Sequence, residues 1–109
     1  MHSLSFALAV LATVRIAGLT ESSGLAASQR YAGVFWTIND GPEPRLYAID
    51  RAGASRARVR VARAAVLDWE ALSLGPGRVA GRSYLYIGDI GDNQHQRKSV
   101  QVYRWRSPI

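Results

Sequence analysis

The apolar and polar positions along the chain follow the pattern of short β-strands separated by turns. Between residues 56 and 61 the pattern alternates strictly, with arginine at 56, 58 and 60 and apolar residues between them, as in a strand with one buried face. Similar runs, bounded by Gly, Pro, Asn or Asp, predict four strands in the first half of the chain: Ser23–Ala27, Gly33–Ile38, Arg45–Asp50 and Ala57–Ala62. We expect the arginines of the fourth strand to line an exposed outer edge, where charge blocks pairing with other sheets.

The second half of the chain repeats the first at three places, with an offset that grows along the chain. Glu21–Ala26 aligns with Asp68–Ser73 at an offset of 47 residues, Val34–Gly41 with Tyr84–Gly91 at 50, and Arg45–Ile49 with Gln101–Trp105 at 56. Insertions in loops produce such a growing offset, and a period of about 40 to 50 residues is typical of propeller blades. The sequence therefore predicts an all-β fold of β-propeller-type repeats, with repeat 1 over residues 21–66 and repeat 2 over residues 68–109.

Each repeat is predicted to form one four-stranded antiparallel blade, so residues 18–109 would hold about two blades. A closed ring usually needs about four to eight blades. We therefore expect a partial propeller, and open sheet edges through which the chain could associate with itself.

Charge and composition narrow the partners only slightly. The 109 residues carry 14 basic and 8 acidic side chains, and the net charge is +6. The basic residues are spread along the chain without a clustered patch or a reader motif, which disfavours nucleic-acid binding. The chain has no cysteine, so disulfides and thiolate metal sites are excluded.

An apolar run, Leu4–Val14, lies near the start of the chain. It is too short to span a bilayer as a helix, and Val10 and Ala12 have the small-residue spacing of a signal-peptidase site. We predict that residues 1–17 are a signal peptide and that the protein is secreted, periplasmic or in the cell envelope. The alternatives are a buried first strand or a mistaken start codon, in which case the protein would be cytoplasmic.

Two groups of acidic and amide side chains could bind a cation. On a strand, Asp68 and Glu70 project to the same side. Asp89, Asp92 and Asn93 lie in a glycine-rich turn and offer the hard oxygen ligands that suit Ca²⁺. We predict these five residues as candidate metal ligands. The alternative is that the last three cap a turn and that the first two bond backbone amides at the mouth of a central channel.

The sequence contains no convincing catalytic motif. Ser22 and Ser23 lack the flanking glycines of a nucleophile elbow, and His95 lies in a polar loop where we expect it to be solvated. The recurring Trp and Tyr residues are expected to pack between blades.

Five segments carry a resemblance to known propellers: Ser22–Leu25, Trp36–Asp40, Leu46–Asp50, Asp68–Glu70 and Tyr86–Asn93. Through them the chain resembles uncharacterised secreted bacterial β-propeller proteins, and is similar to the phytase-like and YVTN or WD-repeat-like families, over about residues 21–108. The resemblance to phytase-like propellers implies calcium near the channel, held by Asp68, Glu70, Asp89 and Asp92.

The expected function is that of an exported propeller fragment with a binding or scaffold role, in which the channel face binds an unknown ligand or protein. One alternative is a calcium-dependent phosphoesterase of phytase-like type, in which Ca²⁺ would neutralise phosphate and polarise the attacking water. Another is a truncated gene product without independent function. Fold resemblance alone does not assign an activity.

Overall fold

A computed structural model describes residues 4–5, 7–40, 43–61, 68–92 and 95–106. Within them the protein contains seven β-strands and no helix. The all-β class predicted from the sequence is confirmed. The strands are β1 Ser22–Ala27, β2 Val34–Asn39, β3 Arg45–Asp50, β4 Ser55–Arg60, β5 Trp69–Pro76, β6 Ser83–Asp89 and β7 Gln101–Arg106.

The strands form two antiparallel sheets, each a meander in which successive strands are neighbours. The first sheet, blade 1, has the order β1-β2-β3-β4, and the second, blade 2, has the order β5-β6-β7. The four strands predicted for repeat 1 are present, with ends that differ by one or two residues. Strand β4 is outermost in blade 1 and its three arginines are exposed, as predicted. A fourth strand of blade 2 would follow Arg106, and residues 107–109 lie outside the described part of the chain.

The two blades share the same hydrogen-bonded framework. In blade 1, β1 pairs with β2 through Ser22 and Asn39, and in blade 2 the equivalent pair is Trp69 and Asp89. Both pairings shift register at the next residue, which places a β-bulge at Ser23 in β1 and at Glu70 in β5. The alignment of the repeats at offsets of 47 and 50 residues is thus reproduced strand for strand.

The third strands obey the same equivalence at the larger offset. In β2 and β3, Thr37 pairs with Tyr47, and in β6 and β7, Ile87 pairs with Tyr103. The offset of 56 residues between Tyr47 and Tyr103 is the one that the sequence alignment predicts. The longer connection that separates β6 from β7 therefore changes the loop and leaves the ladder intact.

The main core lies between the two sheets. Trp36, Ile38, Leu46 and Ala48 of blade 1 are fully buried against Leu85 and Ile87 of blade 2. The ring of Trp36 meets that of Trp105 edge to face, with centroids 5.5 Å apart. The backbones also approach closely, since a Cβ on Gly24 would lie 2.9 Å from Leu72 Cβ. The aromatic residues thus pack between the blades, as predicted.

The opposite face of blade 1 is partly covered by the segment before β1. Val10, Leu11 and Val14 line a groove there together with Leu25, Phe35 and Ile49. A Cβ on Gly53, which has φ of 84°, would lie 2.7 Å from the carbonyl oxygen of Thr13. Leu4 and Leu8 are exposed, and the described residues between 4 and 14 form no strand. Among the described residues, no helix has the length and apolar character needed to cross a membrane.

Candidate functional site: a carboxylate cluster between the blades

Three carboxylates meet where the end of one blade faces the start of the next. Asp40, Asp68 and Glu70 each offer an oxygen, and these oxygens all lie within 4.8 Å of one another. Asp40 and Asp68 are half-buried and Glu70 is exposed. We call these three residues the carboxylate cluster. It joins two of the metal ligands predicted from the sequence with one that the prediction did not include.

The ends of β2 and β5 position the cluster. Asp40 follows β2, and its backbone N–H donates to the carbonyl oxygen of Glu21 at 2.7 Å. Its carboxylate accepts a hydrogen bond from the backbone N–H of Trp69, the first residue of β5. Asp40 therefore joins the two blades. Ser23 makes a second link, because its hydroxyl donates to the carbonyl oxygen of Trp69 at 2.5 Å.

A glycine leaves room for Asp68. A Cβ on Gly91 would lie 2.1 Å from the carboxyl carbon of Asp68, closer than any tolerated contact. The backbone N–H groups of Ile90 and Gly91 both donate to the carbonyl oxygen of Asp68, each at 3.2 Å. The turn after β6 therefore fixes the backbone of Asp68, and the missing side chain at position 91 admits its carboxylate.

The cluster concentrates negative charge. Burial raises the pKa of Asp40, and the charge of Asp68 and a hydrogen bond with it raise this pKa further. The pKa of Glu70 is raised chiefly by a hydrogen bond with Asp68, then by burial and by the charges of Asp68 and Asp40. Nearby carboxylates repel one another when ionised, and a shared proton or a bound cation relieves that repulsion.

Asp89, the third predicted ligand, lies apart from the cluster and has protein partners. It is fully buried at the end of β6, where its Oδ1 accepts the backbone N–H of Asp68 at 2.9 Å. The same oxygen forms an ion pair with Arg97 Nη1 at 2.6 Å. In blade 1 the equivalent residue is Asn39, whose Oδ1 accepts the N–H groups of Thr20 and Glu21 at 3.0 and 2.7 Å. The position therefore anchors the start of each blade.

Asp92, the fourth predicted ligand, caps a turn. Its two carboxylate oxygens accept the backbone N–H groups of Gln96 and Arg97 at 2.8 and 3.2 Å. This is the arrangement of the turn-capping alternative. Asn93, the fifth predicted ligand, lies outside the described residues. His95 is exposed and has φ of 54°.

Hard oxygen donors at this spacing are chemically suited to a divalent cation. Ca²⁺ accepts six to eight oxygen ligands in flexible geometry, so three carboxylates supply part of a coordination shell and water would supply the rest. Mg²⁺ needs a stricter octahedral arrangement. The described part of the cluster therefore fits Ca²⁺ better.

Comparison with known proteins adds no family. The chain matched no protein-family model, no curated protein and no solved structure. The resemblance to secreted bacterial propellers accordingly stays a prediction, and the site is interpreted from its own residues.

Asp40 could have been found from the sequence with one further step. It directly follows the strand Val34–Asn39, while Asp68 directly precedes Trp69–Pro76. In stacked blades of equal topology, the end of the second strand and the start of the first strand lie at the same end of their sheets. Acidic residues at those two positions are therefore expected to approach each other.

Proposed function

We propose that this protein is a non-catalytic binding module built of β-propeller-type blades, exported from the cell, in which the carboxylate cluster holds a calcium ion between the two blades. The convergence of Asp40, Asp68 and Glu70 from both blades supports the calcium site. A cation there would screen the repulsion that raises the pKa of Asp40 and of Glu70.

The scaffold role is supported by how the blades are joined. The core between them is continuous, and Gly24 lets strand β1 approach Leu72 of β5 closely. A calcium ion that bridges Asp40 of blade 1 and Asp68 of blade 2 would add a further cross-link. The ion would thus stabilise the arrangement of the blades, and ligand binding would occur on the surface that they form together.

The test is a thermal melt of the full chain with CaCl₂, with MgCl₂ and with a chelator. A ligand that binds only the folded protein stabilises it by about 2.7 kcal/mol at 100 times its dissociation constant. We expect Ca²⁺ to raise the melting temperature more than Mg²⁺ does, and Asp68→Asn to abolish the rise. Glu43→Gln is the matched control, because Glu43 is an exposed carboxylate that pairs with Arg45 outside the cluster.

An equal response of wild type and Asp68→Asn to Ca²⁺ would overturn the assignment of the site. A response of the wild type that is lost in Glu43→Gln as well would show a general effect of surface charge.

A further inference from the structure

A second pocket lies between the blades, at the opposite end of the strands from the carboxylate cluster. It has a volume of about 570 Å³ and is lined by residues that include Ser28, Arg30, Trp36, Leu74, Arg82 and Ser83. We call it the interblade pocket. Strand β5 runs from the cluster to this pocket, and its eight residues at about 3.3 Å each place the two features on the order of 20 Å apart.

The charge of the interblade pocket is opposite to that of the cluster. Arg30 and Arg82 are both exposed at its rim, and no acidic residue is among the described residues that line it. Within the described part of the chain neither arginine forms an ion pair with a carboxylate. Their guanidinium groups are therefore available to an anion from solution, for which their planar fork of donors is well suited.

The wall of the interblade pocket contains a buried donor without an acceptor. Trp36 is fully buried, and its Nε1 is the buried side-chain polar atom that has no hydrogen-bond partner in the described structure. Buried polar groups are nearly always paired, so an unpaired one calls for an acceptor from outside the protein. The hydroxyls of Ser28 and Ser83 lie in the same wall and already have protein partners, the N–H of Tyr31 and the side chain of Gln29.

We propose that the interblade pocket binds a small organic oxyanion, a carboxylate or a phosphate monoester that carries an apolar group. Arg30 and Arg82 would bind the anionic oxygens, the indole N–H of Trp36 would donate to an acceptor of the ligand, and Leu74 would contact the apolar group. The volume lies within the range of about 300 to 1,000 Å³ that is usual for small-molecule sites. This site is independent of the proposed calcium site, since it shares no residue with the cluster.

The experiment follows the indole N–H signals of the three tryptophans of the ¹⁵N-labelled full chain by NMR, with Trp36→Phe to assign Trp36. The probes are phenyl phosphate, benzoate, inorganic phosphate and neutral benzyl alcohol, at constant ionic strength because surface attraction is screened by salt. We expect phenyl phosphate or benzoate to shift the Trp36 signal saturably, inorganic phosphate to bind more weakly, and benzyl alcohol to have no effect. The stronger of the two aromatic anions identifies the class of oxyanion.

Arg30→Gln and Arg82→Gln test the contacts without disturbing the core, because both side chains are exposed. Loss of one charged hydrogen bond should weaken binding about tenfold in each variant. Arg60→Gln, on the exposed side of β4, is the control and should bind like the wild type.

Three results would overturn the proposal: an unshifted Trp36 signal at saturating probe, equal binding of benzyl alcohol, or equal weakening by Arg60→Gln. The last would reveal non-specific attraction to a chain of net charge +6. Calcium titrations leave these outcomes unaffected, so the two sites can fail separately.

Discussion

The buried pair of Asp89 and Arg97 should be the most sensitive polar contact of blade 2. Asp89 is fully buried, the side chain of Arg97 is 14% exposed, and the two charged atoms lie 2.6 Å apart. Arg97 also donates to the carbonyl oxygens of Gly91 and Ser99, at 3.2 and 3.1 Å. The substitution Asp89→Ala would remove the carboxylate and leave both the guanidinium and the backbone N–H of Asp68 without this acceptor.

Removing one partner of a buried ion pair costs about 3–5 kcal/mol, because the remaining charge is stranded in a poorly solvated place. Asn39→Ala is the matched change in blade 1, where the residue accepts two backbone N–H groups and carries no charge. Its loss should cost about 1–3 kcal/mol. Asp89→Asn should fall between the two, since an amide oxygen can still accept from Asp68 but cannot neutralise Arg97.

Urea unfolding, followed by tryptophan fluorescence, measures these differences. With a slope of about 2 kcal/mol per molar urea, a loss of about 4 kcal/mol lowers the midpoint by about 2 M. Domains of this size have a total stability of about 5–15 kcal/mol, so Asp89→Ala should be close to unfolding without denaturant. A loss below about 1 kcal/mol, or one no larger than that of Asn39→Ala, would refute the reasoning from burial and pairing.

Three further predictions concern the cluster and the blade interface. Because the pKa of Asp40 and of Glu70 is raised in the folded protein, calcium-free stability should fall as pH rises from about 4 towards 7, and thermal melts of Asp40→Asn/Glu70→Gln should show a weaker fall; an unchanged slope would contradict this. Gly91→Ala should push the Asp68 carboxylate out of the cluster and abolish the calcium-induced rise in melting temperature, with little loss of stability without calcium. Gly24→Ala should place a methyl group against the neighbouring blade and cost about 1–3 kcal/mol in urea unfolding, and a neutral effect would argue against the close approach of the sheets.

The fold could be predicted because backbone pairing leaves a strong trace in the sequence. Alternation with a period of two, and turn residues between the runs, indicated the strands of repeat 1 and the outer position of β4. Strand ends differed by one or two residues, since the last pair of a ladder depends on the neighbouring strand. The two unequal offsets of the second repeat were interpretable because insertions accumulate in loops.

The candidate site could be predicted only in part. Asp68 and Glu70 were found because they alternate on one strand, whereas Asp40 joins them through the packing of one blade on another. Asp89 looked like a ligand because it ends a strand in a glycine-rich turn. Its actual partner, Arg97, is eight residues away in a loop whose polar composition suggested solvent exposure. Contacts of this kind depend on how a loop folds back, which local patterns do not record.

The repeat also explains where function-bearing residues are to be sought. The hydrogen-bonded framework is the same in both blades, so residues that maintain it occupy equivalent positions. The candidate sites lie where the equivalence fails: Asp40 stands opposite Ile90 of the other repeat, and Glu70 opposite Ser23. Trp36, with its unpaired indole N–H, has a tyrosine as its counterpart in blade 2. A residue that departs from its repeat without being needed for pairing is free to serve binding, and both proposed sites are built from such departures.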